Sequence, residues 1–131
     1  GENSSTFHGS ILLSGTPTSR QIDWMFKGSN LGANFLHFGD LDISAISHYL
    51  SMKEILKDKI NFWVPSEFST KLFRSRGNKE LFAKQSAIHD LSKMKIKSRN
   101  DENLNLLISV IEESGFVMEQ EMLHDVFLSS W

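Results

Sequence analysis

Residues 33–42, with the sequence ANFLHFGDLD, constrain the fold of this chain most strongly, because a buried strand there ends in two acids. Residues 35–38 are mostly apolar, which is typical of a strand that is covered on both faces. Gly39 relaxes the backbone where the strand ends. Asp40 and Asp42 follow two residues apart, so an extended backbone directs both side chains to one side of the strand.

The paired acids allow two interpretations, and the pattern itself leaves both open. Two carboxylates at the carboxyl end of a parallel strand suit a hard cation such as Mg²⁺, which prefers oxygen ligands. This edge of an open α/β sheet is also where ligands bind. An Asp directly before a helix is equally a common cap, because its side chain accepts a hydrogen bond from a backbone N–H of the first turn.

The first half of the chain alternates between apolar strands and amphipathic helices. Strands are predicted at residues 11–15, 35–38 and 61–65. A first helix is predicted to begin at the cap Thr16 with Pro17 in its first position, and to end near Gly28. A second is predicted from residue 43 to about residue 60. This alternation favours parallel strands with crossover helices, so the predicted fold class is α/β.

The second half of the chain is predicted to be helical, in segments near residues 68–76, 79–97 and 101–114. Gly115 ends the last of these, and residues 116–131 fit either a helix or a strand. We therefore expect one domain over residues 1–131. Its α/β part with the acidic site is residues 1–66, and its mostly helical C-terminal part is residues 67–131.

The composition excludes several classes of protein. The 131 residues suffice for one domain with a core, and a net charge of −2 gives no overall basic character. The absence of cysteine excludes disulfides, thiolate nucleophiles and zinc–thiolate sites. No apolar run approaches the ~18 residues of a membrane span, and the polar start of the chain has no signal peptide. We therefore expect a cytoplasmic protein without membrane contact.

Four motifs occur in an order that one nuclease family shares. The pair EN at residues 2–3 is followed by TF at 6–7, and GDLD at 39–42 follows the central strand. Residues 11–15 with the next helix match the unit between them, and EQE at 119–121 comes near the end. The chain thus resembles the Toprim domain of the nuclease subunit (JetD) of Wadjet plasmid-defence systems, which is related to the A subunit of topoisomerase VI. The resemblance spans most of the chain and implies a Toprim-like, mainly parallel sheet flanked by helices.

The resemblance also implies a strand immediately before Glu2. The chain begins at Gly1, so we expect that the first strand of the family is missing. A parallel sheet without this strand has unpaired backbone or an uncovered apolar face. We therefore expect a partner chain, a domain swap or a displaced N-terminus to cover it, and a homodimer is the predicted assembly.

The activity that the resemblance implies is metal-dependent cleavage of DNA in bacterial plasmid or phage defence. The implied catalytic residues are Glu2, Asp40 and Asp42. Asp40 and Asp42 would hold Mg²⁺ or Mn²⁺, and Glu2 would be a further metal ligand or a general base. Double-stranded DNA is the implied substrate, and an SMC-like motor complex is an implied partner.

Two clusters of basic residues are candidates for contact with DNA phosphates. The first surrounds Gly77 and consists of Lys71, Arg74, Arg76 and Lys79. The second lies within residues 93–99. Such runs are also common on solvated helix faces, so the sequence leaves both interpretations open.

Other candidate residues and functions are weaker. His37 lies within the central strand and fits a hydrogen-bonded core residue. Glu119 and Glu121 either add to an acidic site or pair with the basic helices. A truncated, catalytically inactive Toprim-like interaction or assembly module is the main alternative function, because of the missing strand. A receiver-like phosphoacceptor domain is a third, although the Thr/Ser and Lys strand ends that it needs are not found.

Overall fold

The computed structural model describes residues 10–13, 18–65 and 67–119. Within them, strands and helices alternate in the first half and helices follow in the second. The strands are β1 Ser10–Leu13, β2 Asn34–His37 and β3 Ile60–Phe62. The helices are α1 Ser19–Asn30, α2 Ile43–Leu56, α3 Thr70–Arg76, α4 Lys79–Ser86, α5 Leu91–Lys97 and α6 Glu102–Ser114. The fold is therefore mixed α/β with a helical second half, as the sequence predicted.

The described strands form one parallel sheet in the order β1-β2-β3. In the register of the sheet, His37 of β2 lies beside Leu13 of β1 and beside Phe62 of β3. Because β2 is the central strand, the residues that follow it, including both acids, lie at the middle of the carboxyl end of the sheet.

The two faces of the sheet differ in burial. Phe35 and His37 of β2 and Phe62 of β3 are buried on one face, where the ring of Tyr49 from α2 contacts His37 and Phe62. The other face carries Phe38 and Trp63, which are half-buried and whose rings lie 4.9 Å apart. This alternation of burial reflects the period of two along an extended chain.

Helix α2 contacts both the sheet and the helical second half of the described structure. It packs on β3 and against α1, and α4 and α5 pack on it in turn. Its buried side chains include Ile46, Tyr49, Leu50 and Met52, which belong to a single hydrophobic core. The helical second half is therefore built onto the helix that follows the acid pair.

Several element boundaries differ from the predicted ones. Helix α1 begins after Thr18, which forms a capping box with Gln21, rather than after Thr16. Helix α2 ends at Leu56 and not near residue 60, because Lys57 has a positive φ of 55° and a short 3₁₀ turn follows. The third strand is correspondingly earlier and shorter than the predicted residues 61–65.

The prediction of one helix over residues 79–97 is wrong. The chain leaves the helical conformation after Ser86, and α5 begins four residues after the turn starts at Ala87. Asp90 caps α5, since its side chain accepts hydrogen bonds from the N–H groups of Ser92 and Lys93. The last predicted helix is confirmed, with Asp101 as its N-cap and Gly115 in the left-handed conformation at its end.

The residues after α6 pair with two distant parts of the chain. Leu41 and Met118 form an isolated antiparallel bridge, and Asn78 and Val117 form another. One extended segment thus connects the loop after β2 with the junction between α3 and α4. None of the helices in the described ranges is long and apolar enough to cross a membrane.

Candidate functional site

The acid pair occupies the connection between β2 and α2, on both sides of Leu41. The backbone N–H of Leu41 donates to the Met118 carbonyl at 2.8 Å, and the Met118 N–H donates back at 3.0 Å. The Leu41 side chain is fully buried. Asp40 and Asp42 flank this buried residue in the chain, and the backbone of Asp42 is extended.

Asp42 is the N-cap of α2. Its backbone is extended, and its Oδ1 accepts a hydrogen bond from the Ala45 N–H at 2.7 Å. Its side chain is buried, with 5% exposure, whereas Asp40 beside it is half-buried. The helix-cap interpretation is therefore confirmed for Asp42, and a role as a ligand must be compatible with this cap.

A glutamine from α4 completes the surroundings of Asp42. The Nε2 of Gln85 donates to Asp42 Oδ2 at 3.2 Å. The Oε1 of the same amide accepts from the N–H groups of Ile43 at 2.9 Å and of Ser44 at 3.3 Å. Sequence reasoning missed Gln85, because no local pattern on α4 marks a contact with a residue 43 positions earlier.

The backbone N–H groups of the first four residues of α2 all have partners within the protein. Gln85 accepts from Ile43 and Ser44, the Asp42 side chain accepts from Ala45, and the Asp42 carbonyl accepts from Ile46 at 3.2 Å. A helix N-terminus binds anions through such N–H groups when they lack partners. The start of α2 is therefore closed to a phosphate, and any phosphate chemistry here must depend on the acids.

The electrostatics of the site disfavour a charged Asp42. Burial raises the pKa of the Asp42 carboxyl, and the nearby charge of Asp40 acts in the same direction. The hydrogen bonds from the Ala45 N–H and from Gln85 act against this and favour the charged form. A cation between the carboxylates would offset both the burial and the repulsion, because it stabilises the ionised form of each.

The described residues of this loop offer two carboxylates, those of Asp40 and Asp42, as candidate donors to a cation. No group of three or more His, Asp or Glu side chains suited to a metal ion occurs among the described residues. Mg²⁺ is nevertheless often held by one or two carboxylates together with substrate phosphates. A carboxylate has about four acceptor positions, and each Asp42 oxygen uses one of them in the protein. Glu2, the third predicted ligand, lies outside the described residues.

Glu119 directly follows Met118, which pairs with Leu41 between the two acids. Among the described residues it does not join Asp40 and Asp42 in a group suited to a metal ion. The Oε1 of Glu119 accepts a hydrogen bond from Asn78 Nδ2 at 3.3 Å. The partner of Glu119 in the structure is thus a neutral amide rather than a basic helix. Glu121 lies outside the described residues.

His37 is a core residue. Its side chain is 2% exposed and stacks on the Phe62 ring, with centroids 5.0 Å apart. Burial lowers the pKa of the imidazole, which favours the neutral form. Its Nδ1 has no hydrogen-bond partner among the described residues, so the expectation of a hydrogen-bonded histidine is not met at this atom.

The first basic cluster lies at the junction that the extended segment joins to the acids. Lys71, Arg74, Arg76 and Lys79 are exposed on α3 and at the start of α4. The Asn78 N–H within this junction donates to the Val117 carbonyl at 2.7 Å. Since Val117 and Met118 pair with Asn78 and Leu41, about two strand spacings of ~4.8 Å separate the junction from the acid loop.

The second basic cluster is partly neutralised by ion pairs. Lys95 of α5 lies 3.2 Å from Glu112 of α6, and Lys97 lies 3.7 Å from Glu54 of α2. These pairs join exposed side chains between helices that pack together, as expected for a solvated helix face. The first cluster is therefore the better candidate for contact with an anionic partner.

Comparisons of the chain with protein-family models, with curated proteins and with solved structures find no match. Its function is therefore inferred from its own residues and from the order of its motifs.

Proposed function

We propose that this chain is a Toprim-like domain that cleaves DNA phosphodiester bonds with a divalent metal ion, as the nuclease part of a bacterial plasmid- or phage-defence system of the Wadjet JetD type. The observation that carries the proposal is the position of Asp40 and Asp42 after β2, the central strand of a parallel sheet. Ligands of open α/β sheets bind at this edge. The motif order of the chain supports the specific family.

In this proposal, Asp40 and Asp42 hold Mg²⁺ or Mn²⁺, and Glu2 is a further ligand or a general base. A cation held there would supply neutralisation of charge on the phosphate and activation of water. Asp42 contributes a carboxylate whose orientation is fixed by the Ala45 N–H and by Gln85. Asp40 is half-buried and so remains accessible from solvent.

The proposed substrate is double-stranded DNA, which the first basic cluster contacts through its phosphates. Support comes from the exposure of Arg76 and Lys79 on either side of the Gly77–Asn78 junction, which the segment through Val117 joins to the acid loop. On the motif resemblance, an SMC-like motor complex and a second copy of this chain are the proposed partners.

The metal site is tested by thermal unfolding of the wild type, Asp40→Asn and Asp42→Asn during titration with MnCl₂. Asn caps a helix about as well as Asp, so Asp42→Asn removes the charge but keeps a capping oxygen. At a hundred times its dissociation constant, Mn²⁺ should stabilise the wild type by roughly 2.7 kcal/mol. Each variant should lose this stabilisation. Undiminished stabilisation in both variants would contradict the proposal.

The DNA interface is tested by the salt dependence of binding to a duplex. Arg76→Gln should weaken binding at every sequence and lower the slope of log K against log[salt] by about 1, as for the loss of one phosphate contact. Lys93→Gln, which changes an exposed lysine of the second cluster, is the matched control and should leave the slope unchanged. Equal slopes for wild type and Arg76→Gln would exclude this arginine from the interface.

A catalytically inactive interaction or assembly module is the second candidate. It is favoured by the role of Asp42 as a helix cap, because a structural function alone accounts for that carboxylate. The half-buried aromatic pair Phe38 and Trp63 on the second face of the sheet would then belong to a contact surface. A stable dimer in analytical ultracentrifugation, together with no response of the wild type to Mn²⁺, would support this function over cleavage.

A further inference from the structure

We propose that Gln85 is a positioning residue for the acidic site, which holds the Asp42 carboxylate in one orientation from a separate helix. The inference rests on the proposed function, because it assigns Gln85 a role towards the cation that Asp40 and Asp42 would bind. Gln85 itself would not contact the cation. It acts through the hydrogen bond from its Nε2 to Asp42 Oδ2.

The orientation of the Gln85 amide is set by its neighbours. Ile43 and Ser44 present backbone N–H groups, so the amide atom that faces them must be the oxygen. The nitrogen must then face Asp42, because an ionised carboxylate offers only acceptor oxygens. A flipped amide would place donors against donors. The side chain is 8% exposed, so water cannot replace these partners at low cost.

Asp42 is consequently held at both oxygens by groups from different parts of the chain. Oδ1 is held by the first turn of α2, and Oδ2 is held by α4. The two hydrogen bonds restrict rotation of the carboxylate before a cation binds. Both oxygens keep lone pairs that a cation could use. Hydrogen-bond partners of metal-binding carboxylates orient the ligand, and their loss typically lowers metal affinity about 10–100-fold.

A structural role and a positioning role predict different measurements. If Gln85 only joins α4 to α2, its replacement lowers the stability of the metal-free protein and leaves the dissociation constant of the cation unchanged. If it positions Asp42, the replacement also raises the dissociation constant. The dissociation constant for Mn²⁺ is therefore the readout that separates the two roles.

The experiment compares wild type, Gln85→Met and Asn105→Leu by isothermal titration with MnCl₂ alone. Methionine keeps the length and volume of glutamine and removes both hydrogen-bonding atoms. Asn105 is the matched control, since its Nδ2 also joins two segments by donating to the Lys95 carbonyl at 2.9 Å and to Ser98 Oγ at 3.2 Å, away from the acids. We expect the dissociation constant to rise at least 10-fold in Gln85→Met and to stay within 2-fold of wild type in Asn105→Leu.

A second measurement on the wild type serves if Gln85→Met does not fold. In a ¹H–¹⁵N spectrum, titration with Mg²⁺ should shift the side-chain amide signals of Gln85 and leave those of Asn105 in place. A dissociation constant in Gln85→Met within 2-fold of wild type, or Gln85 amide signals that do not move while the wild type binds Mg²⁺, would overturn the positioning role and leave the proposed metal site standing. No binding of either cation by the wild type would overturn both.

Discussion

Replacement of Gly77 by alanine should destabilise the connection between the basic cluster and the acid loop. A Cβ at this position would overlap the Phe73 carbonyl oxygen, and it would lie 2.7 Å from the Val117 carbonyl oxygen and 2.9 Å from the Phe116 Cβ. Two of these atoms belong to the backbone, so a change of side-chain rotamer cannot relieve the overlap. The segment around Val117 must move away, or α3 must lose its last turn.

The expected cost follows from the overlap and from the hydrogen bonds that the movement weakens. Overpacking costs about 1–3 kcal/mol. The Gly77 N–H donates to the Phe73 carbonyl and the Asn78 N–H donates to the Val117 carbonyl, both at 2.7 Å. Loss of one or both adds about 0.5–1.5 kcal/mol each. We expect the free energy of unfolding of Gly77→Ala to fall by about 2–5 kcal/mol, measured by urea denaturation with circular dichroism and tryptophan fluorescence.

Gly28→Ala is the matched control for this prediction. Gly28 lies inside α1, and a Cβ there would meet Phe35 Cζ at 3.6 Å and Ala33 Cβ at 3.7 Å, which are ordinary contacts. Alanine in a helix interior is favoured over glycine by about 0.5–1 kcal/mol, so this variant should be more stable than wild type. A Gly77→Ala variant that unfolds within about 0.5 kcal/mol of wild type would refute the close approach as a constraint on this position.

Three further predictions concern single side chains, each read by urea unfolding of the metal-free protein. Burial raises the pKa of Asp42 above 3.8, so the folded state binds a proton more tightly than the unfolded state. The contribution of this group to stability should therefore fall as the pH rises from 3.8 through the folded pKa, and Asp42→Asn should lack this contribution. Burial lowers the pKa of His37 below 6.5, so the unfolded state binds a proton more tightly than the folded state. The stability of the wild type should therefore decrease as the pH falls below 6.5, and His37→Phe should not show this decrease. Asp90→Ala should cost about 1 kcal/mol through loss of the α5 cap, whereas Asp90→Asn should stay within a few tenths.

The parts of the fold that the sequence predicted are those with local causes. The helix 101–114 is marked at both ends by its own residues, because Asp101 caps its first turn and Gly115 adopts a φ of 74° at its end. The strand at 35–38 follows from a short apolar run without helical periodicity, and the order of strands and helices around it follows from similar runs. Chemistry within a few residues of each boundary decides these elements, so a single sequence suffices.

The parts that were wrong have causes elsewhere in the chain. Apolar residues continue at helical spacing through residues 79–97, yet Ile88 is exposed and the helix breaks beside it. The chain leaves the helix one residue after Gln85, which contacts Asp42, and Asp90 caps the separate helix α5. The end of α2 at Lys57 likewise has no marker such as Gly or Pro, since the residue at positive φ is a lysine. Tertiary packing overrides local preference in both places.

The acid pair shows why a short motif does not separate a helix cap from a metal ligand. Both roles require an Asp that follows a strand and precedes a helix, and one carboxylate can serve both because it has more acceptor positions than the cap uses. The cap does not compete with the proposed ligand role, since the Ala45 N–H fixes Oδ1 and so reduces the freedom that a ligand would lose on binding. What distinguishes the roles is charge: a cap needs only an oxygen, whereas a hard cation needs the anion. Asp42→Asn removes the charge and keeps one oxygen for the cap, while its amide nitrogen replaces the oxygen that accepts from Gln85. Its stability without metal reports the cap, and its response to Mn²⁺ reports the ligand role.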